Sequence, residues 1–470
     1  MAKDTIRDYS ATSSDNSDIQ SVDISEGCAP SGLNNAIREV MADLKDVSAG
    51  TVALETPVAD SFSTDTISEK TSATGVTIDG VLLKDGAIGS IANAVAAHLT
   101  SINGGQIGGS RNLIINGAMQ VAQRGTSATT YSNSGGFGAA DRISFRRGGT
   151  WATTTFDLSQ EDTSGLDEFP KCSQIKVQDA VANPNANDDT FCSFRYALEG
   201  NEIQHLQYGT SNAKDVTLSF YIKAPVTGTY CVHFEIVHAS ANYVAEYTIN
   251  SANTWEYKTI TVPAPSTSEL GTKPTNDNSI QLAIYWILSG NTTGTSTARG
   301  SAGWSGTTPD RTRYTVNQAN AFSTLNNAVQ LTGCQLEVGT NASDFEYESF
   351  AETLQKCRRY FIGIGNIYSD FWGATGTQTV GLYIGAHQNN AYMPINVLNP
   401  TQMRATPTAA INGTPKFTDF ASNRENITGV GITSQHLINF TYDGSQRTAN
   451  EGIGINLGDS GVGLSLSAEF

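Results

Sequence analysis

The chain has 470 residues, a formal net charge of −17, 16% charged residues and 45 glycines. That length allows two to four folded units. The acidic balance argues against nucleic acid as a partner, because phosphate binding needs clustered Lys and Arg, and no apolar run approaches the ~18 residues needed to span a bilayer.

Residues 1–110 hold only two of the chain's 40 aromatics, Tyr9 and Phe62, and carry 6 Lys/Arg against 15 Asp/Glu. This quarter is too poor in large apolar side chains to build a core of its own. Its first residues, MAKDTIRDYSATSSD, lack the apolar centre of a signal peptide and read as an extended arm. Ser31 then offers a helix cap, and Leu33, Ile37, Val40, Met41 and Leu44 recur at helical spacing. A single amphipathic helix is marginal in water, so this stripe needs a partner. Further on, residues 76–86 alternate as two short strands with Asp-Gly turns, and Ile91, Val95, Leu99 and Ile102 space like a second short helix. Such pieces suit the shaft of a fibrous homotrimer; a flexible linker is the bland reading.

From residue 111 the pattern becomes β. Leu113–Ile115 reads as the first strand, and Val216–Ile222, Tyr230–Ile236, Tyr243–Ile249 and Ile280–Trp286 alternate with period two. Two packed antiparallel sheets in a jelly-roll-like sandwich follow, with residues 113–115 beside 331–338. Residues 349–361 read as a short helix leaving the sandwich. Residues 362–470 form a second β unit, with turns at Asn412-Gly413 and Asp443-Gly444 and an apolar face of Leu464, Leu466 and Ala468.

Catalytic patterns are near misses. Gly303-Trp304-Ser305-Gly306 lacks the fifth position of a nucleophile elbow. His233 and Glu235 share a strand face without the cysteine half of a deaminase site. No catalytic residue, metal ligand or cofactor is assigned. The six cysteines form no CxxC pair and read as buried free thiols. Aromatics in polar loops carry more signal. Trp304 and Trp151 lie among glycines, and Asp310, Arg311 and Arg313 follow Trp304. Flat rings stack on the C–H faces of sugars, and Asp and Arg bind hydroxyls, so these five are the candidate glycan contacts.

Three stretches, RNLIINGAMQVAQRGT at 111–126, CQLEVG at 334–339 and CRRYF at 357–361, resemble the borders of the carbohydrate-binding-module-like β-sandwich found in many phage tail fibres. The segment 19–46 resembles the attachment segment of short-tailed phage fibres, and 403–408 and 464–470 resemble fibre tips. Some modules of this kind hold a structural calcium near the first strand, where this chain offers Asn112 and Asn116, poorer ligands than carboxylates. The resemblance implies a mainly β tail fibre or receptor-binding protein of a short-tailed bacteriophage. Its expected parts are a tail-attachment arm and helix (1–47), a trimeric shaft (48–110), the β-sandwich (111–361) and a C-terminal β tip domain (362–470). It would be made in the host cytoplasm and carried on the virion. Its partners would be two further copies, a tail adaptor or nozzle protein, and a host surface glycan, with no membrane insertion. The alternatives are a tailspike enzyme that cleaves host surface polysaccharide and a purely structural virion protein.

Overall fold

The computed structural model describes residues 6–49, 76–78, 81–84, 87–91, 110–132, 134–149, 151, 154–179, 190–237, 239, 241–270, 272–292, 302–305, 313–365, 392–396, 403–414, 416–418, 423–434, 437–442, 454–456 and 463–469. They fall into two units, Met1–Ala97 and His98–Phe470.

In the first unit the arm is not extended. Two 3-10 turns, Ile6–Asp8 and Ser13–Asp15, lead to a small hairpin of β1 (Asp18–Ile19) and β2 (Val22–Asp23). Helix α1 (Pro30–Ala49) begins one residue before the expected Ser31 cap. Proline's fixed φ and missing N–H suit the first helical position. The arm packs on α1 through Asp43, which is 3% exposed. Tyr9 donates its hydroxyl hydrogen to one Asp43 carboxylate oxygen, and Gln20 Nε2 donates to the other at 2.7 Å. Further on, β3 (Val76–Ile78), β4 (Val81–Lys84) and β5 (Ala87–Ile91) form an antiparallel meander in which Val76 pairs Leu83 and Val81 pairs Ile91. Ile91, expected at the head of a second helix, ends a strand instead. The rest of that expected helix, Val95, Leu99 and Ile102, lies outside the described residues.

The second unit is mainly β. Its first strands are β6 (Thr129–Tyr131), β7 (Gly135–Gly136), β8 (Ser144–Gly148), β9 (Phe156–Asp162), β10 (Lys171–Val177) and β11 (Phe191–Glu199). A one-turn helix α2 (Gly200–Ile203) precedes β12 (Val216–Lys223), β13 (Gly228–Ile236), β14 (Ala241–Ile249) and β15 (Glu256–Val262). After α3 (Thr267–Leu270) come β16 (Ile280–Gly290), β17 (Gly303–Ser305) and β18 (Ala328–Val338). The four period-two runs read from the sequence are β12, β13, β14 and β16. One sheet has the order β15-β12-β18-β10-β9-β6, the other β17-β14-β13-β16-β11-β8-β7. Their inner faces share one core, where Phe220 meets Trp286 and Phe145 meets Phe156. Each such ring contributes about 1.5–3 kcal/mol when fully buried.

Leu113–Ile115 lies beside β18 as expected, with Leu113 N–H donating to Leu336 O at 2.9 Å, but it is not a strand. Asn112 is the reason. Its Oδ1 accepts from both Ile114 N–H (2.9 Å) and Leu336 N–H (3.1 Å), and its Nδ2 donates to Cys334 O (3.1 Å). The amide side chain fills the ladder positions and curls the backbone. Gly117 packs so closely on β18 that a Cβ there would stand 2.0 Å from Cys334 O.

Helix α4 (Phe350–Arg358) leaves the sandwich behind a capping box of Ser349 and Glu352. It feeds the last region, which holds β19 (Phe361–Gly365), β20 (Tyr392–Asn396), β21 (Thr408–Asn412), β22 (Lys416–Thr418), β23 (Asn423–Ser434), β24 (Leu437–Tyr442), β25 (Gly454–Asn456) and β26 (Gly463–Ser467). These form two sheets, β19-β26-β21 and β20-β24-β23-β22-β25. The expected Asn412-Gly413 turn follows β21, and Asp443-Gly444 lies outside the described residues. Leu464, Leu466 and Ala468 are buried. The six cysteines are free thiols, five of them buried.

Candidate functional site

Helix α1 is inverted relative to an ordinary surface helix. Its small and polar positions, Ala36 and Asp43, are buried, Asp43 by its bonds to Tyr9 and Gln20 of the arm. Its apolar positions Leu33, Ile37, Met41 and Leu44 are all more than half exposed, and Val40 is half-buried. Four large apolar side chains thus stand in water along one face of α1, where an ordinary surface helix turns such a face inward.

The candidate sugar contacts scatter. Trp151 is a core residue: it is 4% exposed, donates Nε1–H to Gly148 O at 2.8 Å and meets Phe156 edge to face. A ring so enclosed has no face for a ligand, which corrects its reading as a contact. Trp304 is half-buried on β17, leans on Tyr243 at 5.2 Å between ring centres, and donates to Pro263 O at 2.9 Å. Asp310 and Arg311 lie outside the described residues. Arg313 is 7% exposed, with its guanidinium 5.0 Å from the Phe191 ring and 5.1 Å from the Tyr285 ring.

Arg313 thereby marks a polar cluster that the sequence reading missed, on the outer face of the seven-stranded sheet. Arg195 Nε donates to Tyr285 Oη at 3.2 Å, and Tyr285 donates to Glu235 Oε2 at 2.9 Å. Beside them, His233 Nε2 and Asn242 Oδ1 are 2.6 Å apart. Burial, and after it the Arg195 charge, lowers Arg146 on the flank. The signal was present: strands β11, β13 and β16 place Arg195, His233, Glu235 and Tyr285 on their second face, beside Ser193 and Thr229. The cluster's members are as enclosed as Trp151: His233 and Asn242 are fully buried, and Arg195, Tyr285 and Arg313 are nearly so, and the bonds named here join them to one another. Among the described residues no group of His, Cys, Asp and Glu is placed to hold a metal ion. Asn112 and Asn116 spend their amides on backbone atoms.

A cavity of about 620 Å3 opens between residues 110–115, α2 and α4, with Glu202, His205, Glu352, Lys356 and Arg359 in its lining. Its carboxylates are already engaged. Glu202 accepts from Glu199 N–H (2.9 Å) and Tyr360 Oη (3.0 Å), and Glu352 caps α4. Burial is the main cause that raises the Glu202 carboxyl above its ordinary value.

No protein-family model matches the sequence, and no curated protein matches it. Among solved structures, the chain is similar to the enzymatically active domain of tailspike protein 4 of bacteriophage CBA120. That match has 10% identity and a TM-score of 0.25, and covers 48% of this chain but only 21% of the tailspike domain. It is also similar to the family 11 carbohydrate-binding module of the cellulase Lic26A-Cel5E of Clostridium thermocellum (11% identity, 47% of this chain and 99% of that one, TM-score 0.22). A third is the tandem CBM22-1-CBM22-2 domain of Paenibacillus barcinonensis Xyn10C (9% identity, 69% and 86%, TM-score 0.20). At these identities and TM-scores the likenesses assign neither a fold family nor an activity.

Proposed function

We propose that this chain is a bacteriophage tail fibre, joined as a homotrimer to a tail adaptor or nozzle protein by its N-terminal unit and binding a host surface glycan with its C-terminal β domains. The observation that carries this reading is α1. Its intrachain partners cover Ala36 and Asp43 while Leu33, Ile37, Met41 and Leu44 face outward, so the helix is completed by other chains. Three copies bundled about that stripe bury it, and the polar arm stays outside. The receptor half is supported by the tail-fibre resemblance of the sandwich borders and by Trp304, which retains surface at the sandwich edge. In this reading the β domains hold sugars and do not cleave them.

Two measurements test it. Sedimentation of the full chain should return a trimer mass; a monomer mass overturns the assembly. Labelled protein should bind bacterial cells, and periodate oxidation of surface sugars should abolish that binding. Periodate-resistant binding points to a protein receptor. New reducing ends or unsaturated sugars released from bacterial polysaccharide would replace this reading with the tailspike enzyme.

A further inference from the structure

The outer face of the six-stranded sheet carries a run of aromatic rings drawn from four separate segments. Tyr257 on β15 pairs directly across the ladder with Tyr221 on β12, ring centres 5.0 Å apart. Tyr221 lies 5.5 Å from Phe169 of the β9–β10 hairpin, and Phe169 stacks at 5.8 Å on Tyr347, from the strap before α4. The strip is flush with the sheet because Gly333 of β18 lies beneath it. A Cβ at Gly333 would stand 2.9 Å from both Phe169 and Tyr221.

Two of these rings are open to solvent, Tyr257 at 46% and Tyr347 at 55%. Core building does not account for rings left so exposed. Their neighbours are also held in place before any ligand arrives. Glu168 accepts from Tyr347 Oη at 3.0 Å and from Tyr221 Oη at 3.3 Å, so one carboxylate fixes two phenols. Burial, then that bond, pushes the Tyr347 phenol up to about 12. Trp255 extends the strip, its indole bonded to Ser164 O at 3.2 Å and Lys223 Nζ 6.0 Å from the ring centre. Elsewhere on this face Thr217 and Ser219 are buried and Gln330 is half-buried, so the open part is the strip itself.

We infer that this strip is a second glycan-binding surface, on the sheet opposite Trp304 and Arg313, and that it takes neutral oligosaccharides. Fixed ring faces receive the C–H faces of pyranoses, and the carboxylate and hydroxyl rim receives their hydroxyls. Charge selects the occupant. The strap carries Asp344, Glu346 and Glu348, and the hairpin carries Asp162, Asp167 and Glu168; Lys171 pairs with Asp162, Lys356 pairs with Glu348 and Lys223 adds one cation, so carboxylates remain in excess. An anionic polysaccharide meets like charge here, and so does the same face of a second copy. The inference rests on the proposed function for the class of ligand only.

The test is native electrophoresis of the full chain through gels holding neutral polysaccharides (barley β-glucan, dextran, galactomannan) or anionic ones (polygalacturonate, heparin). Wild type should be retarded in at least one neutral gel and in neither anionic gel. The double variant Tyr257→Ala/Tyr347→Ala alters two exposed rings, so its melting temperature and sedimentation mass should be unchanged, while its affinity falls about tenfold or more. Leu325→Ala, an exposed apolar residue outside the strip, should bind as wild type. A double variant that binds neutral gels normally overturns the strip and leaves the tail-fibre reading standing through another face. Wild type that enters every neutral gel freely overturns the strip as well, and the periodate assay then decides the wider reading. Retardation in anionic gels only, or loss of oligomer mass in the double variant, also overturns it, the latter marking the strip as a contact between copies.

Discussion

Tyr9 donates a hydrogen bond to the Asp43 carboxylate across 34 residues of chain. The bond turns a polar position of α1 inward and leaves the apolar stripe outward. Helical spacing alone sets Asp43 apart from the apolar stripe, as an exposed charge whose loss is nearly neutral. The structure corrects that. Asp43→Ala removes the acceptor for both Tyr9 and Gln20, at a cost of about 1–3 kcal/mol. The arm should then detach from α1. Faster amide exchange in residues 6–24, with unchanged exchange in the sandwich, is the expected result; equal arm protection in the variant would show that the bonds contribute nothing.

The stripe itself makes a separate prediction. Ile37→Asp with Met41→Asp alters two side chains that are 53% and 65% exposed within one chain. The monomer should fold normally, with the sandwich's melting unchanged. Burying two carboxylates in an assembled bundle is strongly unfavourable, so the double variant should sediment as a monomer and be missing from purified particles. A variant that retains its trimer mass would place the chain-to-chain contacts elsewhere.

Much of the sandwich was legible because its residues obey a local rule. Val216, Leu218, Phe220 and Ile222 alternate on the pleat, and their strand carries its own periodicity. Features that depend on a distant partner were not legible. Leu113–Ile115 has strand composition, yet Asn112 replaces its ladder with side-chain bonds. Trp151 sits among glycines like a loop residue, but Phe156 and Gly148 enclose it. The rings of Tyr257, Tyr221, Phe169 and Tyr347 come from segments up to 178 residues apart, so no window of sequence shows them as one surface.

Asp141 predicts a pH dependence. Burial raises its carboxyl from 3.8 to about 7, against the opposing pull of Arg124 and the Gln123 hydrogen bond. The folded protein therefore binds this proton more tightly than the unfolded chain does. The sign follows: the group's contribution is most favourable below pH 4 and is lost progressively as pH rises to about 7. Asp141→Asn should remove that component, flattening the fall in melting temperature between pH 4 and 7 relative to wild type. Parallel curves would mean that Asp141 ionises normally.

The other end of the same cluster fixes the C-terminal strand to the sandwich. Glu469 lies two residues beyond β26, and its Oε2 is 3.0 Å from Arg142 Nη1 and its Oε1 3.5 Å from Arg124 Nη2. Arg142 is 1% exposed; it also donates to Ala197 O at 2.6 Å, and its guanidinium stacks 3.4 Å from the Tyr360 ring centre. Arg124 lies 3.6 Å from the Phe361 ring centre. Two cations from the sandwich are thus held between rings of β19's entry and one carboxylate from the chain end. Removing one partner of a buried ion pair leaves an uncompensated charge, at about 3–5 kcal/mol. Glu469→Ala should therefore lower the melting temperature by several degrees, and Glu469→Gln, which keeps an acceptor oxygen, by less. Amides of Leu464 and Leu466 in β26 should exchange faster in both. Asp167→Ala, at an exposed loop position, should be neutral within about 0.5 kcal/mol. Because Glu469 also raises the Asp141 carboxyl, Glu469→Gln should shift the Asp141 titration to lower pH. A Glu469→Ala protein with wild-type melting and an unmoved Asp141 titration would show that Arg142 is held by Ala197 and Tyr360 alone.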